Sequence, residues 1–204
     1  MNARPELVLF DFDGVLAHYS RESRIAHLAA ATGRESWLVG EVLFESGLEA
    51  DYDRGVVDTS QYLARLGRGL GCAVDETAWI ASRIAGNRAE HDVAALVREV
   101  ARHARVGVLT NNGALMTEAI RGILPEVFPV LDGNILCSGA LGVCKPDPEV
   151  YRLALAHFRV EPHHALFVDD ALCNVEGARN AGLRAAHVPD ASTLAAVLRQ
   201  HSLA

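Results

Sequence analysis

Two carboxylates stand two residues apart in Asp11-Phe12-Asp13-Gly14, directly after the apolar run Leu7-Val8-Leu9-Phe10. Residues i and i+2 of a strand point the same way, so both acids would leave the end of a buried strand together. Like charges this close repel unless a cation binds them or one takes a proton. Both outcomes are chemically useful. The same DxDG spelling also occurs in ordinary turns, and the pair alone does not decide between the two.

Three further polar clusters follow apolar runs. Thr110-Asn111-Asn112-Gly113 closes Val106-Gly107-Val108-Leu109 and precedes a helical pattern. A hydroxyl, an amide and helix N-terminal N–H groups would hold an anion there, or would simply cap the helix. Cys144-Lys145-Pro146-Asp147-Pro148 carries Lys145, the single lysine among the 19 lysines and arginines of the chain. Lysine offers a compact, mobile ammonium where arginine offers a broad fork, and the two prolines stiffen its mount before a helix. Finally, Leu166-Phe167-Val168 ends in Asp169-Asp170. Mg²⁺ takes hard oxygen ligands from one or two carboxylates plus phosphate and water. Asp11, Asp13 and one or both of Asp169 and Asp170 would supply them; an Asx turn or helix cap is the plainer reading of the second pair.

The elements that position these clusters are legible from periodicity. Strand-like runs occupy Leu7–Phe12, Val106–Asn111, Ala165–Asp169 and Arg184–Val188, with a weaker one at Asn134–Ser138. Helical patterns at Asp92–His103, Ala114–Ile123, Asp147–His157, Asn174–Ala181 and Ser192–Gln200 alternate with them. That alternation, with continuously apolar strands, predicts an α/β fold with a parallel sheet covered on both faces. The segment from Ala17 to His91 reads as helices only, at Glu22–Ala31, Glu35–Phe44, Thr59–Leu70 and Asp75–Ile84. It follows the C-terminal end of the first strand, where ligands bind in open α/β sheets, and so predicts a lid. Trp37, Phe44 and Trp79 fall on its apolar stripes as expected lid core, and Tyr19, Arg21, Arg24 and Arg54 are candidates for the mouth.

Composition narrows the function classes. The chain has 204 residues, half of them hydrophobic, and a formal net charge of −7, with no basic run. Nucleic acid as a partner needs a basic face, which this balance does not offer. The apolar stretch at the N-terminus is too short for a membrane span and runs into two aspartates. The four cysteines form no CxxC pair and read as free thiols of a reducing compartment, so a cytoplasmic protein is expected. The nine histidines show no zinc-ligand spacing. Nothing in these patterns encodes the oligomeric state.

The joint order DxD, TN, KP, DD at successive strand ends resembles the haloacid dehalogenase superfamily. KPDPEVYRLAL and FVDDALCNVEGARNAG are similar to its phosphatase-like branch, which contains the glucose-1-phosphate phosphatases and the N-terminal domain of soluble epoxide hydrolases. The resemblance implies a Rossmann-like core from residues 1–16 and 92–204 and a helical cap from 17–91. It implies Asp11 as nucleophile, Asp13 as acid and base, and Thr110, Asn111 and Lys145 on the phosphoryl oxygens. It also implies Mg²⁺ held by Asp11, Asp13 (through its backbone carbonyl) and one or both of Asp169 and Asp170. Dehalogenases lack an acid at the position of Asp13, because halide leaves without a proton. The expected activity is therefore hydrolysis of a small phosphorylated metabolite such as a sugar phosphate. A phosphotransferase or mutase would use the same nucleophile; a dehalogenase and a non-catalytic binding protein are the remaining alternatives.

Overall fold

The computed structural model describes residues 4–89 and 91–203. Its centre is a five-stranded parallel sheet in the order β5-β4-β1-β6-β7. The chain runs β1 (Leu7–Phe10), β2 (Ala17–Tyr19), β3 (Asn87–Ala89), β4 (Arg105–Thr110), β5 (Ile135–Cys137), β6 (Ala165–Asp169) and β7 (Arg184–His187). Between β2 and β3 lie α1 (Arg21–Thr32), α2 (Ser36–Gly40), α3 (Leu48–Asp53), α4 (Thr59–Leu70) and α5 (Glu76–Gly86). The remaining helices are α6 (His91–Ala101), α7 (Met116–Ile123), α8 (Phe128–Leu131), α9 (Ser138–Leu141), α10 (Pro148–Phe158), α11 (Leu172–Asn180) and α12 (Ala191–Gln200). This is the parallel α/β sheet that the strand–helix alternation predicts, in the Rossmann-like form that the resemblance implies.

Alternation along β1 shows why both sheet faces are covered. Leu7 and Leu9 pack with Val150, Tyr151 and Phe158 of α10 on one face. Val8 and Phe10 pack with Val93 and Val97 of α6 and Leu194 of α12 on the other. All four are fully buried, so the strand has no polar face to show. The second cluster continues into the inserted helices through Leu28, Tyr62 and Trp79.

The inserted segment differs from its expected reading, first in holding a helix, α3, outside the expected set. It begins and ends in strands: β2 and β3 pair antiparallel, with Ala17 opposite Ala89 and Tyr19 opposite Asn87. Three-residue strands are too short to give a period. The single helix expected over Glu35–Phe44 is α2 followed by a π-helical stretch, Glu41–Glu45. Trp37, expected in the lid core, is 71% exposed, whereas Trp79 is buried and Phe44 half-buried. The expected segment boundary, between 91 and 92, falls in the first turn of α6 (His91–Ala101).

Candidate active site

Register brings the acids together. Phe10 stands level with Val168, so Asp11 and Asp169 leave adjacent strand ends side by side, and Asp11 N donates to Val168 O at 2.9 Å. Lys145 Nζ lies between them, 2.8 Å from Asp11 Oδ1 and 2.7 Å from Asp169 Oδ2. The ammonium is buried, with the Phe167 ring 5.3 Å away. Lys145 is itself fixed by its main chain: Lys145 N donates to Asn111 Oδ1 and Asn111 Nδ2 donates to Lys145 O, both at 2.9 Å. The Asn111 side chain, expected on the phosphoryl group, thus points to the lysine loop. Helix α7 starts at Met116, later than expected, so Thr110 ends β4 and Asn111–Gly113 is a loop rather than a helix cap.

The two acids of the Asp169-Asp170 pair are in different surroundings. Asp169 is fully buried and accepts from Ala171 N, from Asn174 Nδ2 and from Lys145. Asp170 is exposed, and its carboxylate packs against Gly14. A Cβ at Gly14, which has φ +90°, would meet Asp170 Oδ2 at 2.3 Å. Gly14 therefore supplies both the left-handed turn and the close approach. Carboxylate oxygens of Asp11, Asp169 and Asp170 all lie within 4.8 Å of one another, a set of hard donors that fits a magnesium ion. Burial pushes the Asp11 carboxyl up to about 7; Lys145 works against the rise and Asp169 adds to it.

The Asp13 carboxylate stands apart from that cluster. Its Oδ2 accepts from Arg83 Nη2 at 2.8 Å and from Asn112 Nδ2 at 3.1 Å. Asn112 Nδ2 also donates to Thr110 Oγ1 at 2.8 Å, and Thr110 is buried.

The inserted helices press directly on this end of the sheet. Asp53 Oδ1 accepts from Gly113 N at 2.9 Å, Ser138 Oγ donates to Asp53 O at 2.5 Å, and Leu115 N donates to Tyr52 OH at 3.0 Å. Of the four residues expected at a mouth, Arg24 is instead fully buried inside the helical body, paired with Glu49 at 2.5 Å. Arg21 pairs with Glu45 on the surface, Arg54 is exposed, and Tyr19 lies beneath Arg83. Sequence reasoning missed Arg83, Asp53 and Asn112 as parts of the site. Asn174 lies within a noticed stretch, but nothing in the spelling gives it the task of holding Asp169.

Asp53 carries a testable electrostatic consequence. Burial pushes its carboxyl from 3.8 up to about 7, helped by the charge of Glu49 and opposed by Arg24 and Arg83. The folded chain then holds a proton that the unfolded chain has released across this window. Stability contributed by the protonated form is present at low pH and is lost as pH rises toward 7. Asp53→Asn keeps the acceptor for Gly113 N but cannot ionise. Its unfolding free energy, from urea titration, should fall less than that of the parent between pH 5 and 8, by on the order of 1 kcal/mol after allowing for screening at this partly exposed position. An identical pH slope in both proteins would show that another group titrates.

Comparison with known proteins gives the family and supports the fold. Residues 5–182 match the haloacid dehalogenase-like hydrolase family. Phosphatase MT3486 of Mycobacterium tuberculosis (strain CDC 1551 / Oshkosh) is 29% identical over 191 residues, 87% of this chain and 84% of the relative. A HAD-like family hydrolase from Porphyromonas gingivalis superposes with a TM-score of 0.78 at 21% identity, covering 97% of this chain and 98% of the other. A HAD family enzyme from Bacteroides thetaiotaomicron, solved with magnesium and inorganic phosphate, gives a TM-score of 0.72 at 17% identity, over 90% of this chain and 93% of its own. The chain belongs to the haloacid dehalogenase-like hydrolases.

Proposed function

We propose that the protein is a magnesium-dependent phosphatase that hydrolyses a small phosphate monoester through an aspartyl-phosphate on Asp11. The observation that carries this reading is the Lys145 ammonium held between Asp11 and Asp169, with Asp170 completing a carboxylate set at one strand edge. Asp11, Asp170 and the backbone carbonyl of Asp13 would hold the magnesium ion. Asp169, already engaged by Lys145, Asn174 and Ala171, orients the lysine. When bound, the ion keeps Asp11 ionised despite its burial and offsets phosphoryl charge.

In the reaction, a carboxylate oxygen of Asp11 attacks phosphorus in line. Lys145 and the Thr110 hydroxyl, with the main chain of Asn111, bind the phosphoryl oxygens. Asp13 protonates the departing alkoxide and then takes a proton from the water that cleaves the intermediate. Residues 17–91 act as a cap over a core of 1–16 and 92–204, excluding water and contacting the leaving group. A sugar phosphate is within the substrate class. The cysteines are free thiols, and no helix among the described residues is long and apolar enough to cross a membrane. Free thiols support a reducing, cytoplasmic setting.

Release of inorganic phosphate from a panel of phosphorylated metabolites tests the reading. With Mg²⁺ one or more should be hydrolysed, and chelation should slow release at least about 100-fold, given the several kcal/mol a metal supplies. Phosphate release indifferent to chelation would overturn the metal assignment; silence across the panel, with halide released from 2-haloacids, would overturn the reaction.

A further inference from the structure

Arg83 is buried at the junction of the inserted helices and the sheet, and the mechanism above gives it no task. Three contacts fix its plane. Nη2 donates to Asp13 Oδ2 at 2.8 Å, Nε donates to Met116 Sδ at 3.2 Å, and the guanidinium carbon lies 4.6 Å from the centre of the Tyr19 ring. Asn112 reaches the same Asp13 oxygen. Both donors therefore converge on Oδ2. The second oxygen, Oδ1, is buried and has no hydrogen-bond partner among the described residues. Leaving a buried acceptor without a donor is costly unless something comes to it.

We infer that Arg83 is a positioning residue for proton transfer, holding Asp13 so that its proton sits on Oδ1 and faces the leaving-group oxygen. The inference rests on the reading of Asp13 as the acid and base. A hydroxyl on Oδ2 would point its hydrogen at two N–H donors, so a protonated Asp13 in this setting carries its proton on Oδ1. In the transfer step a bond forms between an Asp11 carboxylate oxygen and phosphorus while the ester P–O bond breaks. The electron pair of the broken bond goes to the ester oxygen, which takes the proton from Oδ1. The charge left on Asp13 is then met by Arg83 and Asn112. A leaving group that departs as a stable anion gains nothing from this arrangement. A residue that merely ties the helices to the sheet would affect every ester alike.

That difference is measurable. Values of kcat/KM with Mg²⁺ are compared for phenyl phosphate and 4-nitrophenyl phosphate in the parent, Arg83→Ala and Arg83→Lys. This parameter covers steps through phosphoryl transfer, so later hydrolysis of the shared intermediate does not mask the effect. Phenol is as basic as a tyrosine side chain, with a pKa of about 10, and needs a proton to leave; 4-nitrophenol is a far weaker base. Arg83→Ala should lower the phenyl phosphate value by about 10–100-fold and leave 4-nitrophenyl phosphate nearly unchanged. Arg83→Lys, which can still donate to Oδ2, should recover part of the ratio and carries the comparison if the alanine protein does not fold. Equal losses on both esters in a folded variant overturn the inference while leaving the phosphatase reading standing. A parent protein inactive on these esters and on the whole metabolite panel instead fails the phosphatase reading. If the parent hydrolyses only alkyl esters, the best of them is compared with acetyl phosphate, whose acetate leaves without a proton.

Discussion

Asp11→Asn should abolish phosphate release, lowering turnover by about 10⁴-fold or more, as loss of a covalent nucleophile does. The substitution is nearly isosteric. An amide oxygen can still accept from Phe12 N, which lies 2.7 Å from Asp11 Oδ1, and from Lys145 Nζ. The fold should therefore survive, and thermal unfolding should show it. What the amide lacks is a carboxylate oxygen able to bond phosphorus. Acid quench of the parent protein during turnover, followed by peptide mass analysis, should find phosphate on Asp11, and the same treatment of the variant should find none. A folded Asp11→Asn protein with near-parent activity would remove Asp11 from the chemistry.

Lys145→Arg should lower kcat/KM by about 10²–10³-fold, the usual cost of losing one well-placed cation or donor at a developing charge. Formal charge is unchanged, so the loss comes from shape. A single ammonium nitrogen lies 2.8 Å from Asp11 and 2.7 Å from Asp169, in a buried slot beside Phe167. A guanidinium is wider and planar, and its stem is anchored at a main chain that Asn111 holds from both sides. The fork would either displace Asp169 from Asn174 or push Asp11 from its line of attack. Affinity for vanadate or inorganic phosphate should fall with kcat/KM. Full activity in the arginine variant would mean that position 145 needs charge alone.

The sheet and three of the four expected strand-end clusters are readable because each rests on local pattern. A buried parallel strand is a short apolar run, and a side chain just past its end projects from the sheet edge wherever the run sits in the chain. Thr110 and the three acids of the cluster follow from that rule; Lys145 does not, because α9 lies between it and the end of β5, and it is marked instead as the single lysine of the chain. Arg83 and Asp53 do not. Each is one charged residue on a helix among many, and its partner, Asp13 or Gly113, is distant in sequence. Periodicity says which helix face is apolar but not which polar residue will be trapped when two bodies meet. Arg24 shows the same limit from the other side: its sequence context reads as a surface cation, yet Glu49, Phe44 and Trp79 enclose it. Trp37 fails in reverse, because an aromatic on a short helix need not find a neighbour. Asn111 stands out as part of the site, but its side chain's work on the Lys145 main chain is tertiary and leaves no trace in spacing.

The pairing of β2 with β3 has a mechanical consequence. The inserted helices are joined to the rest of the chain by two crossings that lie side by side. A body hung from adjacent crossings can swing about them more readily than it can slide. Displacement in such a swing grows with distance from the axis. Arg83 stands one helical turn before β3, and Asp13 bridges to Ala17, the first residue of β2, so their ion pair sits near the pivot. The Asp53–Gly113 and Tyr52–Leu115 contacts reach the loop between β4 and α7, whose flanking residues Asn112 and Met116 meet Asp13 and Arg83. The proposed cap, pivoting on the paired strands, would keep the arginine on its carboxylate.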